Sequence, residues 1–118
     1  MKTIVNAPID LRDRALVFAK DVIKFAKPLE RNLISAPVVS QLVRSSTSIG
    51  ANFIEAKNAG SKKDFRNKVL ISKKEASETV YWLRLCEEFT DSSDRLRLQD
   101  ECQEIILILQ KIITTLGH

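Results

Sequence analysis

Three carboxylates and one run of cations are the residues of this chain whose types and spacing could do chemistry. Glu55, Glu75 and Glu78 would suit general acid–base work if folding brought them together without cationic partners. The run SKKDFRNK (61–68) sets Lys62, Lys63, Arg66 and Asn67 around a Ser-x-x-Asp helix-start signal. Cations beside the free N–H groups of a helix N-terminus suit phosphate. Lys57, Lys73 and Lys74 extend the run on either side. The candidate nucleic-acid-binding set is therefore Lys57, Lys62, Lys63, Arg66, Lys73 and Lys74.

Other chemistries lack their residues. The single histidine is His118, the last residue, a poor place for a fixed base. No Ser sits in a GxSxG elbow, and GSKK (60–63) lacks the glycine spacing of a phosphate loop. There is no Glu-x-x-His pair of the kind that builds di-iron bundles, so no metal or other cofactor is expected. Cys86 and Cys102 show no CxxC or Cys/His spacing and read as small buried hydrophobes in a reduced, cytoplasmic protein. The opening MKTIVNAPID has no apolar run of the signal-peptide kind, and IILIL (105–109) is too short to span a bilayer. A non-enzymatic protein is the reading.

The net charge of +4 is unevenly spread. Between residues 41 and 74 eight Lys and Arg stand against two carboxylates, a net of +6, so the rest of the chain carries −2. Concentrated basicity of this kind bears on partners.

The elements that must position these residues are four periodic segments in a single domain of 118 residues. Leu11, Ala15, Phe18, Val22 and Phe25 make an apolar stripe over about 11–26, with Asp10 as N-cap. Two prolines break the pattern between Lys27 and Pro37. Val39, Leu42, Ser46, Ile49, Phe53 and Ala56 hold a second stripe over about 38–59, with Gly60 as its stop. A third segment, about 62–89, carries Phe65, Val69, Ser72, Ala76, Val80 and Leu83. A fourth, about 95–116, carries Leu98, Cys102, Ile105, Leu109, Ile112 and Leu116. Strand alternation and repeats are missing. The fold class is all-α, an antiparallel up-down four-helix bundle. Leu70, Tyr81 and Leu85 lie off the third stripe, and Ile106, Ile108 and Ile113 off the fourth. A chain this small cannot easily bury a helix that is apolar on most sides, so self-association follows. Tyr81, Trp82, Leu85, Ile106 and Ile113 are the expected interface.

The second segment also carries a polar stripe, Gln41, Arg44, Ser48, Asn52 and Glu55, at spacings of 3, 4, 4 and 3. Lys68, Ser72, Glu75, then Glu78 or Thr79, and Trp82 form a matching line on the third. A short link makes the two helices antiparallel, with facing positions summing to roughly 120. Glu55 then meets Lys68, Ser48 meets Ser72, and Arg44 meets Glu75 or Glu78. The carboxylates become members of an interhelical network, paired with cations and unsuited to catalysis. Ser45, Ser46, Gly50 and Ala51 would let helices approach closely.

These residues also carry a resemblance. QLVRSSTSIGANFIEAKNAGSKKDFRNKV (41–69), followed by ISKKEASETVYWLRL (71–85), resembles the bacterial four helix bundle protein family. Its members include proteins encoded in intervening sequences of 23S ribosomal RNA genes. Where many relatives have glycine, this chain has Ala56 and Ile71, which marks a subgroup. The resemblance implies a ring-like homopentamer. It is also related to the accessory proteins of diversity-generating retroelements, basic pentameric barrels that bind a reverse transcriptase and nucleic acid. The partners expected here are other copies of the chain and RNA or DNA held on a basic surface repeated around the ring. The alternative is a scaffold that binds a protein partner without nucleic acid. No membrane role is expected, because no helix pairs a basic face with a broad apolar one.

Overall fold

The computed structural model describes residues 10–29 and 31–117. It contains four α-helices and, among the described residues, no strand: α1 Leu11–Ala26, α2 Ser35–Lys57, α3 Lys62–Leu85 and α4 Asp94–Leu116. α2 packs on α3, α3 on α4 and α1 on α2, and the circuit closes through a smaller α1–α4 seam.

The stripes read from periodicity form the core. Phe18, Leu42, Ile49, Leu83, Leu98, Ile105 and Leu109 are almost wholly buried. Each contributes about 1.5–3 kcal/mol through the water it leaves. Asp10 caps α1 by accepting the Arg12 amide at 2.8 Å. The Arg12 guanidinium on the same carboxylate holds its pKa down at about 2. Ser61 caps α3 by accepting the Asp64 amide at 3.1 Å.

Three boundaries differ from the sequence reading, each for a local reason. α2 begins at Ser35, ahead of Pro37. Asn32 Oδ1 accepts the amides of Ile34 and Ser35, both at 2.9 Å, and Ser35 Oγ accepts the Asn32 amide at 3.3 Å. This reciprocal cap starts the helix early. Pro37 then falls in the first turn, where a missing N–H costs nothing. α2 stops at Lys57, before Gly60: the Asn58 amide closes back on Glu55 O, and its side chain donates to Ile54 O at 3.1 Å. α3 ends at Leu85, and Cys86–Glu88 form a 3-10 turn.

Gly50 has a packing role on α1, away from α3. A Cβ there would lie 3.3 Å from the Ala15 Cβ, so the glycine sets how closely α1 and α2 approach. Ser45 and Ser46 are buried, whereas Ala51 is exposed and takes no part in packing within the chain.

The larger correction concerns α4. Ile113, expected at an interface between copies, is 6% exposed and belongs to the core. Ile106 and Ile112 pack against that core. α4 turns most of its apolar surface inward because α3 covers one flank and α1 the other. Among its large apolar side chains, Leu96 and Leu107 are the exposed ones, at 53% and 63%.

Candidate nucleic-acid interface

The α3 N-terminus is built by Ser61. Its side chain and its carbonyl take the amides of Asp64 and Phe65. Among the described residues the Lys62 and Lys63 amides have no such partner, as the first turn of a helix requires. Lys62, Lys63, Arg66 and Asn67 line a cleft of about 540 Å³ with Leu116 and Gly117. Arg66 has structural work there: its Nε donates to the Gly117 carbonyl at 3.1 Å and pins the end of α4 to α3. Gly117 has φ of 69°, a conformation that favours glycine, and ends α4.

The six candidate cations fall into two groups. Lys57, Lys62 and Lys63 are exposed at one end of the bundle, near Arg66. Lys73 and Lys74 sit eleven residues further along α3, about 16 Å away by helical rise. None of the five lysines has an ion-pair partner among the described residues.

The α2–α3 pairing follows the antiparallel register. Lys68 Nζ meets Glu55 at 2.7 Å. Arg44 reaches Glu75 at 3.4 Å and Glu78 at 3.1 Å, and it also bonds Gln41 at 3.1 Å. The middle of the stripe behaves differently. Ser48 Oγ and the Asn52 amide group bond carbonyls of their own helix, Arg44 O and Ser48 O, each at 2.8 Å. Ser72 crosses instead to the Ile49 carbonyl at 2.8 Å, one residue from the expected contact. Thr79 donates to Ser45 at 2.9 Å in the buried interior. Sequence reasoning missed that bond, although 45 and 79 satisfy the same register rule. It also missed the α1–α4 seam, where Arg14 holds Glu101 through two 2.7 Å bonds and Arg97 lies 3.7 Å from Asp21.

With Arg44 on Glu75 and Glu78, and Lys68 on Glu55, the three carboxylates form no acid–base pair. Arg44 is half exposed but its partner Glu75 is only 15% exposed, so Arg44→Ala strands a mostly buried carboxylate and should cost about 1–3 kcal/mol. Urea unfolding of the two proteins checks this; a loss under about 0.5 kcal/mol would mean that Glu75 does not depend on Arg44.

Among the described residues no group of three His, Cys, Asp or Glu could hold a metal. His118 lies outside them. Both thiols are buried, and burial pushes Cys86 up to about 11 and Cys102 up to about 12. Cys102 donates to the Ala76 carbonyl at 3.2 Å. The folded state therefore keeps thiol protons that the unfolded chain releases above its ordinary value near 9. Stability falls as pH rises from about 9 through those raised values, by at most about 1.4 kcal/mol per pH unit per thiol. A Cys86→Ala, Cys102→Ala variant should lack that part of the alkaline loss in pH-resolved urea titrations.

Of the expected interface residues, Tyr81 is exposed and packs edge-on against Trp82, with ring centroids 5.0 Å apart. Trp82, Leu85 and Ile106 are half-buried. Trp82 Nε1 is buried without a hydrogen-bond partner among the described residues, and so is Glu75 Oε1, whose 3.4 Å approach to Arg44 lacks hydrogen-bond geometry.

The pattern that defines the 23S rRNA-intervening sequence protein matches residues 8–111. This chain belongs to that family. Among solved structures, a protein of unknown function from the S23 ribosomal protein family of Bacteroides thetaiotaomicron VPI-5482 is similar at 37% identity. The likeness has a TM-score of 0.81 and covers 88% of this chain and 98% of that one. No curated protein matches. The 23S rRNA-intervening sequence family thus accounts for the four-helix architecture, while its structural relative carries no assigned activity. Among the described residues no helix is long and apolar enough to cross a membrane.

Proposed function

We propose that this member of the 23S rRNA-intervening sequence family is a non-enzymatic, self-associating, cytoplasmic bundle that holds RNA or DNA phosphates at the α3 N-terminus. The observation that carries the reading is the local electrostatics there. Lys62 and Lys63 are exposed and, among the described residues, free of ion pairs and beside two unclaimed amides, with Lys57 nearby. A single such end is a modest anion site. Repetition in an assembly, as the family resemblance implies, raises its avidity without new contacts. Lysine acylation footprinting tests it directly. Single-stranded RNA should protect Lys62 and Lys63 and leave Lys20 and Lys24 on α1 reactive. Equal labelling with and without RNA would count against the site.

A second reading is a scaffold for a protein partner without nucleic acid. Exposed Tyr81 beside the unpartnered Trp82 Nε1 favours it, since an aromatic with a polar edge is a common anchor at protein interfaces. Under that reading charge reversal at Lys62 and Lys63 changes nothing.

A further inference from the structure

The cleft at the α3 N-terminus does not end at its cations. Through Leu116 it runs into a second groove, of about 440 Å³, between the start of α3 and the end of α4. Phe65, Ile108, Ile112 and Leu116 wall this groove, and Lys111 and Thr115 stand at its rim. The α3–α4 register builds it. Cys102 bonds the Ala76 carbonyl, an antiparallel register that sets Phe65 opposite the last turns of α4. Phe65, Ile112 and Leu116 are half-buried there, so each keeps an apolar face within reach of a ligand.

The groove lies close to the cations. Phe65 follows Lys62 by three residues, about 4.5 Å by helical rise. Among the described residues no carboxylate lines either cleft. The polar groups at the edges are uncommitted. The Asn67 amide and the Thr115 hydroxyl are exposed, and neither is taken by a hydrogen bond among the described residues. A phosphate alone has no use for such an apolar slot. A nucleobase does: its faces are apolar and its edge carries donors and acceptors.

We infer that the groove receives an unstacked base of a single-stranded RNA or DNA whose phosphates lie at Lys62 and Lys63. Phe65, Ile112 and Leu116 would cover the base, with Asn67 and Thr115 at its edge. A duplex keeps its bases stacked and paired, and presents one only by flipping it out. Cations alone would favour the duplex, which carries more charge per unit length. Contact with a base face tolerates any base, so the site distinguishes single strands from duplexes and reads little sequence. The inference rests on the phosphate-binding reading above and names the ligand class that the site takes.

The test is fluorescence anisotropy of the purified full chain with three labelled ligands. They are a single-stranded DNA oligonucleotide, a strand of the same length made wholly of abasic sites, and the duplex of the first. The first should bind about tenfold more tightly than the abasic strand, with the same salt slope, because the phosphates are the same. It should also bind more tightly than the duplex. Leu116→Ala widens the groove at the last turn of α4 and leaves Lys62 and Lys63 in place. It should cut the preference for bases to about threefold or less, with affinity for the abasic strand and helicity by circular dichroism unchanged. The wild-type comparison stands whether or not the variant folds. Equal affinity for the strands with and without bases, or a duplex bound as tightly as the single strand, overturns the inference and leaves a phosphate site. A full preference that survives Leu116→Ala overturns the assignment to this groove. Absence of binding by all three ligands at the lowest salt overturns the phosphate-binding reading as well.

Discussion

Ile113→Asp should lower the stability of this protein by about 3–5 kcal/mol, whereas Leu107→Asp on the same helix should cost less than about 0.5 kcal/mol. The two positions lie six residues apart on α4, and both read as surplus apolar residues in the sequence. In the fold Ile113 is 6% exposed within the core and Leu107 is 63% exposed. An aspartate at 113 loses the transfer free energy of the isoleucine and must either bury a carboxylate or open the end of α4. Opening that end also breaks the Arg66 bond to the Gly117 carbonyl. Domains of this size are held by only about 5–15 kcal/mol, so much of the folded population is at stake. Urea unfolding followed by helix content measures the difference. Equal stability of the two variants would mean that α4 is not seated as described.

The second large effect concerns binding. Lys62→Glu with Lys63→Glu should weaken affinity for single-stranded RNA by about a hundredfold at moderate salt and lower the salt slope by about 1.4. Two phosphate contacts are lost, two repulsions are added, and the helix end that favours anions receives two carboxylates instead. Lys20→Glu with Lys24→Glu makes the same change in net charge on α1. That control should alter affinity by no more than about threefold, through long-range attraction alone. Loss to the same degree in both variants would point to a diffuse charge effect without a site. Fluorescence anisotropy of a labelled oligonucleotide reads both.

Most of the fold was legible in the sequence. The stripes of Phe18, Leu42, Ile49, Leu83, Leu98 and Leu109 recur at helical spacing over long stretches, and the Ser61 cap announces itself by type and offset. The antiparallel sum rule found the Glu55–Lys68 and Arg44–Glu75/Glu78 pairs because charge leaves few alternatives once the register is set. The same rule misassigned Ser48. A serine inside a helix bonds its own backbone as readily as a neighbour's, and nothing in its type says which. The α2 start was missed because Pro37 reads as a breaker, while the Asn32–Ser35 cap that places it in a first turn lies outside the apolar stripe. Ile113 was misread for a geometric reason: the width of a buried face depends on how many helices flank it.

The candidate site was legible only as composition. Six cations close in sequence look like one patch. The fold separates Lys73 and Lys74 from the α3 N-terminus by three turns and commits Arg66 to the end of α4. What distinguishes Lys62 and Lys63, among the described residues, is their place beside unclaimed amides and without an ion pair, and that depends on how α2, α3 and α4 end together.

The most direct measurement is a salt titration of the wild-type protein against labelled single-stranded RNA, read by anisotropy. The expected result is measurable binding at low salt and a linear fall of log affinity with log salt, the slope counting phosphate contacts at about 0.7 per contact. Absence of binding at the lowest salt, or an affinity indifferent to salt, would contradict it and leave a helical scaffold whose partner is a protein.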